Sequence, residues 1–241
     1  FYLRHSRMPS WDVNCIEDWE EKINAIVDQT INQNMTLISG IPPWVQMYFE
    51  KIIEKRGKQI GDVFKNFSLF IYGGVSFKPY KNIFDELIGR KVNSIEVYPA
   101  SEGFFAFQDQ IDNDSMLLIL NNHIYYEFIK VKDLLIGKKN YICLSDVKVG
   151  ENYALVISTS SGLWRYDIGD TVQFTQLEPY RIIVTGRIKQ FISAFGEHVI
   201  AKEVETTIKE VSSKLNLKVR EFTVAPQVSP KAGLPFHEWF I

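Results

Sequence analysis

Phe67-Ser68-Leu69-Phe70-Ile71-Tyr72-Gly73-Gly74 is the stretch on which the fold turns. An aromatic and β-branched run closed by paired glycines spells a short strand ending in a tight turn. Downstream, Ile83, Phe84, Leu87 and Ile88 recur at three- and four-residue spacing, which places them on one face of a helix. Ser94-Ile95-Glu96-Val97-Tyr98 then reads as a second strand, broken at Pro99. Strand, helix, strand is the βαβ unit of an α/β sheet, and such sheets bind ligands beyond the carboxyl ends of their strands. Gly73-Gly74 and Tyr98-Pro99-Ala100-Ser101-Glu102-Gly103 both stand at such ends.

Upstream, Ile16, Trp19, Ile23, Ile26, Val27 and Ile31 share a helical period, with Asn14 and Glu17 as a candidate capping box. A second helix is expected from Pro42-Pro43, since proline tolerates a first turn, to Gly57, a natural stop. Trp19, Trp44, Tyr48 and Phe49 read first as core aromatics. Downstream, short strands separated by turn residues are expected at 104–108, 116–120, 124–129, 153–159, 171–175 and 180–185. Asp109-Gln110-Ile111-Asp112-Asn113-Asp114 lacks the glycine and terminal glutamate of a calcium loop and reads as a solvated turn. Glu203–Leu215 reads as a helix and Lys218–Val224 as a strand. The expected fold class is α/β: a βαβ sheet subdomain, a small antiparallel, barrel-like β subdomain, and the start of a small α+β C-terminal domain. The expected boundary lies near Gly186-Arg187, dividing residues 1–185 from residues 186–241.

Of 241 residues, 46% are hydrophobic and 23% charged, with a formal net charge of -2. Neutral balance of this kind gives no basic field for nucleic acid or an anionic membrane, so neither is expected as a partner. No run approaches the about 18 apolar residues of a membrane span. Cys15 and Cys143 are the only cysteines, in no metal-binding spacing, which fits a reducing, cytoplasmic setting. The chain opens on Phe1 rather than Met and closes on what reads as a strand cut short, Phe236 to Ile241, so a piece of a longer protein is expected.

Four segments occur in one order: Ile71-Tyr72-Gly73-Gly74-Val75; Tyr98-Pro99-Ala100-Ser101-Glu102-Gly103; Trp164-Arg165-Tyr166-Asp167-Ile168-Gly169-Asp170; and Gly186-Arg187-Ile188-Lys189-Gln190-Phe191-Ile192-Ser193-Ala194-Phe195-Gly196-Glu197-His198-Val199. Singly each is weak; together they are specific. This order resembles the acyl-adenylate-forming, firefly luciferase-like enzymes. The wording of the last two segments looks most like the auxin-responsive acyl acid–amido synthetases. Such a resemblance, spanning residues 36–241, implies a ligase that adenylates a carboxylic acid with ATP, releases pyrophosphate, and passes the acyl group to the amine of an amino acid. It implies ATP and Mg2+ as cofactors, and small-molecule acid and amino acid as partners; oligomeric state is not readable.

The same resemblance assigns roles residue by residue. Glu102 becomes the magnesium-associated, catalytic carboxylate and Ser101 a phosphate contact. Tyr98 is set against the adenine ring, with Gly73, Gly74 and Val75 letting the backbone approach the base. Asp170 takes both ribose hydroxyls, as a two-oxygen acceptor can. Arg187 reaches ribose or phosphate and Lys189 serves as hinge or phosphate contact, about which a small C-terminal domain rotates. Arg165 is a phosphate or structural partner, and His198 a candidate base for the attacking amine. Trp44, Val45 and Tyr48 lie where the family borders its acyl pocket, which favours an aromatic or medium-chain acid. The family's glycine- and serine/threonine-rich phosphate loop is expected upstream, and no such run occurs in residues 1–241. The piece alone is therefore expected to be inactive. A thioester-forming acyl-CoA ligase and a non-catalytic nucleotide-binding module are the alternatives.

Overall fold

The computed structural model describes residues 7–188, 201–217, 219, 222–227 and 236–241. Its described residues fall into two compact units, Phe1–Val97 and Tyr98–Ile241. That division comes within the 1–185 stretch read from sequence as one domain.

In the first unit, strands β1 (Leu37–Ser39), β2 (Leu69–Tyr72) and β3 (Asn93–Ala100, whose last residues belong to the second unit) are joined by parallel pairing in that order. Parallel neighbours need crossovers. Helices α1 (Trp11–Asn14) and α2 (Trp19–Thr30) precede β1. Then α3 (Pro42–Arg56) and α4 (Ile60–Val63) lie between β1 and β2, and α5 (Lys81–Ile88) joins β2 to β3, completing the expected βαβ unit. The helix expected from Pro42 runs as read, stopped by Gly57 at φ 65°. The capping box at Asn14 does not form. Asn14 instead ends α1, and α2 is capped by Asp18, whose Oδ1 accepts from the Glu21 N–H at 2.8 Å.

The core of this unit is aromatic. Phe49 from α3, Phe70 from β2 and Phe84 from α5 are essentially sealed, with Phe70 stacked on Phe84 at 5.1 Å. Each such ring contributes about 1.5–3 kcal/mol by leaving water. Tyr48 is buried beside them and its hydroxyl shares a 2.7 Å hydrogen bond with Thr30.

The second unit holds β4 (Gly103–Phe107), β5 (Met116–Leu118), β6 (Ile124–Lys130), helix α6 (Val131–Leu135), β7 (Tyr141–Cys143), β8 (Asn152–Thr159), β9 (Tyr166–Leu177) and β10 (Tyr180–Arg187). They pair antiparallel in the order β4-β5-β10-β9-β8-β6-β7. At about 4.8 Å per strand, β4 and β6 would stand far apart in a flat sheet. Their side chains Phe105 and Tyr126 instead meet with ring centroids 6.4 Å apart. The sheet therefore coils around its own inward face, the barrel-like form expected from the meander. Phe105, Met116, Phe128, Tyr153 and Phe174 fill that interior and are fully buried.

After β10, helix α7 (Ala201–Leu215) begins two residues earlier than read and buries Val204 and Ile208, in contact with β10. Strands β11 (Thr223–Gln227) and β12 (Phe236–Phe240) pair antiparallel. The strand read at 218–224 is displaced toward 223–227, while Lys218, Arg220 and Glu221 lie outside the described residues.

Candidate functional site

The second unit carries a buried carboxylate at the end of a strand pair. Near the start of β9, the Asp167 Oδ1 accepts from the Gly169 N–H at 3.0 Å, and Gly169 takes φ 84°, a left-handed conformation that glycine adopts without strain. That turn delivers Asp170 to the inside of the sheet, where it is only 6% exposed. On β10, a register shift between Val184 and Gly186 brings Arg187 opposite Asp170. Behind them, Thr171 and Thr185 share a 2.8 Å hydroxyl contact and Thr185 donates to Asn152 at 2.6 Å, pinning β8, β9 and β10.

Both carboxylate oxygens of Asp170 are engaged. Arg187 Nε donates to Oδ1 at 2.9 Å, and the Tyr98 hydroxyl donates to Oδ2 at 2.8 Å. A buried carboxylate without such donors would be strongly disfavoured. The Tyr98 phenol is pushed far above the ordinary tyrosine range, chiefly by burial and then by the negative charge of Asp170. Glu102 adds to that rise through its own charge, and Arg187 opposes it. Tyr98, Glu102, Asp170 and Arg187 thus form one electrostatic group. Glu102 is half-buried and Ser101, its neighbour, is exposed.

The other candidates are placed differently. Gly73, Gly74 and Val75 follow β2 in the first unit, where Gly74 has φ 84° and Val75 is exposed. Val45 and Tyr48 are buried in that unit's core, whereas Trp44 is 55% exposed and meets Trp19 at 5.6 Å. Arg165 is a structural partner: its guanidinium pairs with the buried Glu127 at 3.0 Å and lies over the Tyr141 ring. Lys189, and the Ser193–His198 loop, lie outside the described residues. An apolar groove of about 640 Å³ lined by Phe107, Leu117, Leu120, Leu177 and Tyr180 contains none of the residues singled out from sequence.

Among the described residues no three His, Cys, Asp or Glu side chains gather as a metal cage. Glu102 alone beside the group suits Mg2+, which commonly takes one or two carboxylates and fills its remaining positions with phosphate oxygens and water. Sequence reading did not find the Tyr98–Asp170 bond, because its ends are 72 residues apart and no local pattern links them.

Residues 117–187, the sheet that carries Asp170 and Arg187, match the GH3 family central domain. The family match is thus confined to the part of the chain that holds the Asp170–Arg187 pair. The chain is 30% identical over 154 residues to a probable indole-3-acetic acid-amido synthetase, GH3.11, of Oryza sativa subsp. japonica, covering 57% of this chain and 26% of that protein. It is 31% identical over 188 residues to the jasmonoyl–L-amino acid synthetase JAR6 of Nicotiana attenuata, covering 72% of this chain and 32% of that protein. The chain therefore spans about a third or less of those relatives' length. Its fold is shared with the solved GH3.15 acyl acid amido synthetase, with TM-score 0.73 and 14% identity, covering 94% of this chain and 51% of that one. A 2-hydroxyisobutyryl-CoA ligase gives TM-score 0.63 at 15% identity, covering 88% of this chain and 44% of that one. No helix among the described residues is long and apolar enough to cross a membrane.

Proposed function

We propose that the protein is an ATP-dependent acyl acid–amido synthetase of the GH3 family and that this chain supplies its ribose- and hinge-side machinery. One observation carries the reading. An aspartate carboxylate offers about four acceptor positions, and Tyr98 and Arg187 fill one on each oxygen of Asp170. One position per oxygen remains, which is the complement of a vicinal diol such as the 2′- and 3′-hydroxyls of ATP.

Around that anchor the remaining roles follow. In adenylation a carboxylate oxygen of the acid bonds to the α-phosphorus of ATP as the bond from that phosphorus to pyrophosphate breaks. In transfer the amine of an amino acid bonds to the acyl carbon, AMP leaves with the bonding electrons, and the amine loses a proton. Such phosphoryl chemistry depends on positioning and charge neutralisation more than on covalent help. Within the second unit, Asp170 holds the ribose and Ser101 meets a phosphate oxygen. Glu102 would hold Mg2+, whose bound charge neutralises the phosphates. Arg187, already on Asp170 and with a mostly exposed side chain, reaches ribose or phosphate, and by the family resemblance Lys189 serves as hinge or phosphate contact. By the family resemblance Trp44, Val45 and Tyr48 border an acyl pocket, which favours an aromatic or medium-chain acid. Exposed, unpaired Cys15 and Cys143 suit a cytoplasmic setting.

An acyl-CoA ligase shares the first half-reaction, and the CoA ligase of similar fold keeps that as the second reading. The full-length protein, incubated with ATP, a panel of acids and either mixed amino acids or CoA, should yield an acyl-amino acid amide by mass spectrometry. A thioester with no amide would transfer the assignment to the CoA branch.

A further inference from the structure

The tyrosine at position 98 is the least expected member of the group. Its ring is buried to 6% exposure and packs edge-on against Phe105 at 5.0 Å and 65°. So covered a ring has little open face left to stack on a base. Its hydroxyl, however, does something specific. A buried phenol O–H needs an acceptor, and the one it has is Asp170 Oδ2, reached from the tail of β3 across to β9.

Rotation of a carboxylate about its last bond is soft and roughly two-fold, so one donor does not fix its plane. Two donors on different elements do. Arg187, with a side chain 67% exposed, is the looser of the two anchors. Tyr98, clamped in the core of the second unit, is the stiffer. The burial-raised phenol keeps its proton throughout the physiological range, so it stays a donor.

We propose that Tyr98 is a positioning residue that orients the Asp170 carboxylate toward a vicinal diol and thereby sets preference for a ribonucleotide over its deoxy analogues. This rests on the reading of Asp170 as the ribose acceptor. Tyr98 itself need not touch the sugar. Its hydroxyl fixes which lone pairs of Asp170 point outward, and a diol gains from that alignment where a single hydroxyl gains little.

The test is calorimetric binding of ATP, 2′-deoxyATP and 3′-deoxyATP to the full-length protein, wild type and Tyr98→Phe, with thermal melts confirming that both are folded. Wild type should prefer ATP to both analogues. Tyr98→Phe should reduce that preference about three- to tenfold, the scale of one ordinary net hydrogen bond, because Tyr98 acts on the sugar only through Asp170, with affinity for the deoxy analogues nearly unchanged. Placing 4-fluorophenylalanine at position 98, which fills the hydroxyl's space without donating, should give the same shift even if the phenylalanine variant folds poorly. Equal weakening of all three nucleotides would make Tyr98 a mere prop and overturn the proposal, as would no change in any. A wild-type protein that binds all three equally, or none, would overturn the ribose reading of Asp170 and this proposal with it.

Discussion

Asp170 sits with almost no access to water and yet is met by a cation and a phenol, an arrangement that costs desolvation and is repaid only by well-aimed donors. A site built in this way is sensitive to single atoms. Asp170→Ala in the full-length protein should lower kcat/KM for ATP about ten- to a hundredfold, the loss of hydrogen bonds to a charged group at roughly 1.5–3 kcal/mol. Replacing the exposed Lys139 by alanine should leave it unchanged; equal effects in the same kinetic comparison would remove the nucleotide from this carboxylate. At this scale the sequence nominates residues by motif and is silent about how they meet. Asp170, Glu102 and Arg187 stand out by motif. That Tyr98 bonds Asp170 is a product of tertiary closure, and Tyr98 looked from sequence like a wall for the base.

Between elements, the clearest device is the ion pair joining the loop after β4 to β10. Arg181, 3% exposed, donates through both terminal nitrogens to Asp109, at 2.6 and 2.9 Å. From sequence Asp109 belonged to a solvated acidic turn, and most of that turn is indeed exposed. Asp109 is itself exposed; its pairing depends on Arg181 lying inward on β10, which no local feature of residues 109–114 reveals. The Arg181 hydrogen bonds hold the Asp109 carboxyl below the ordinary aspartate range. For a depressed carboxylate, the stabilisation is fully present above the unfolded value of about 3.9 and is lost as pH falls through the lower native value. Asp109→Asn should therefore lower the urea midpoint at pH 7. Its deficit against wild type should hold down to about pH 5 and shrink only below about pH 4; a deficit unaffected by acid would mean that the charge is not the cause. Elements with strong periodicity or proline and glycine punctuation, such as α3 and β8, fall where the pattern puts them. The three-residue β1 escapes because so short a run carries no period.

Two architectures follow one another along the chain. A parallel βαβ unit with a phenylalanine core carries Gly73-Gly74, and a coiled antiparallel sheet matching the GH3 central domain carries the acidic and basic site residues. The succession of these architectures was legible because hydrophobic spacing changes from mixed strand and helix to repeated short strands near residue 103. Where one compact unit gives way to the other was less so, because the division falls inside the continuous strand β3 and leaves no linker composition to read. The measurement that bears most directly on the central claim is carboxylate-dependent ATP–pyrophosphate exchange by the full-length protein with a panel of aromatic, medium-chain and small polar acids. Exchange that requires an acid, is strongest with an aromatic or medium-chain one and collapses in Asp170→Ala is the expected result. No exchange with any acid, alongside no binding of ATP, would contradict adenylation and leave a GH3-like fold without its chemistry.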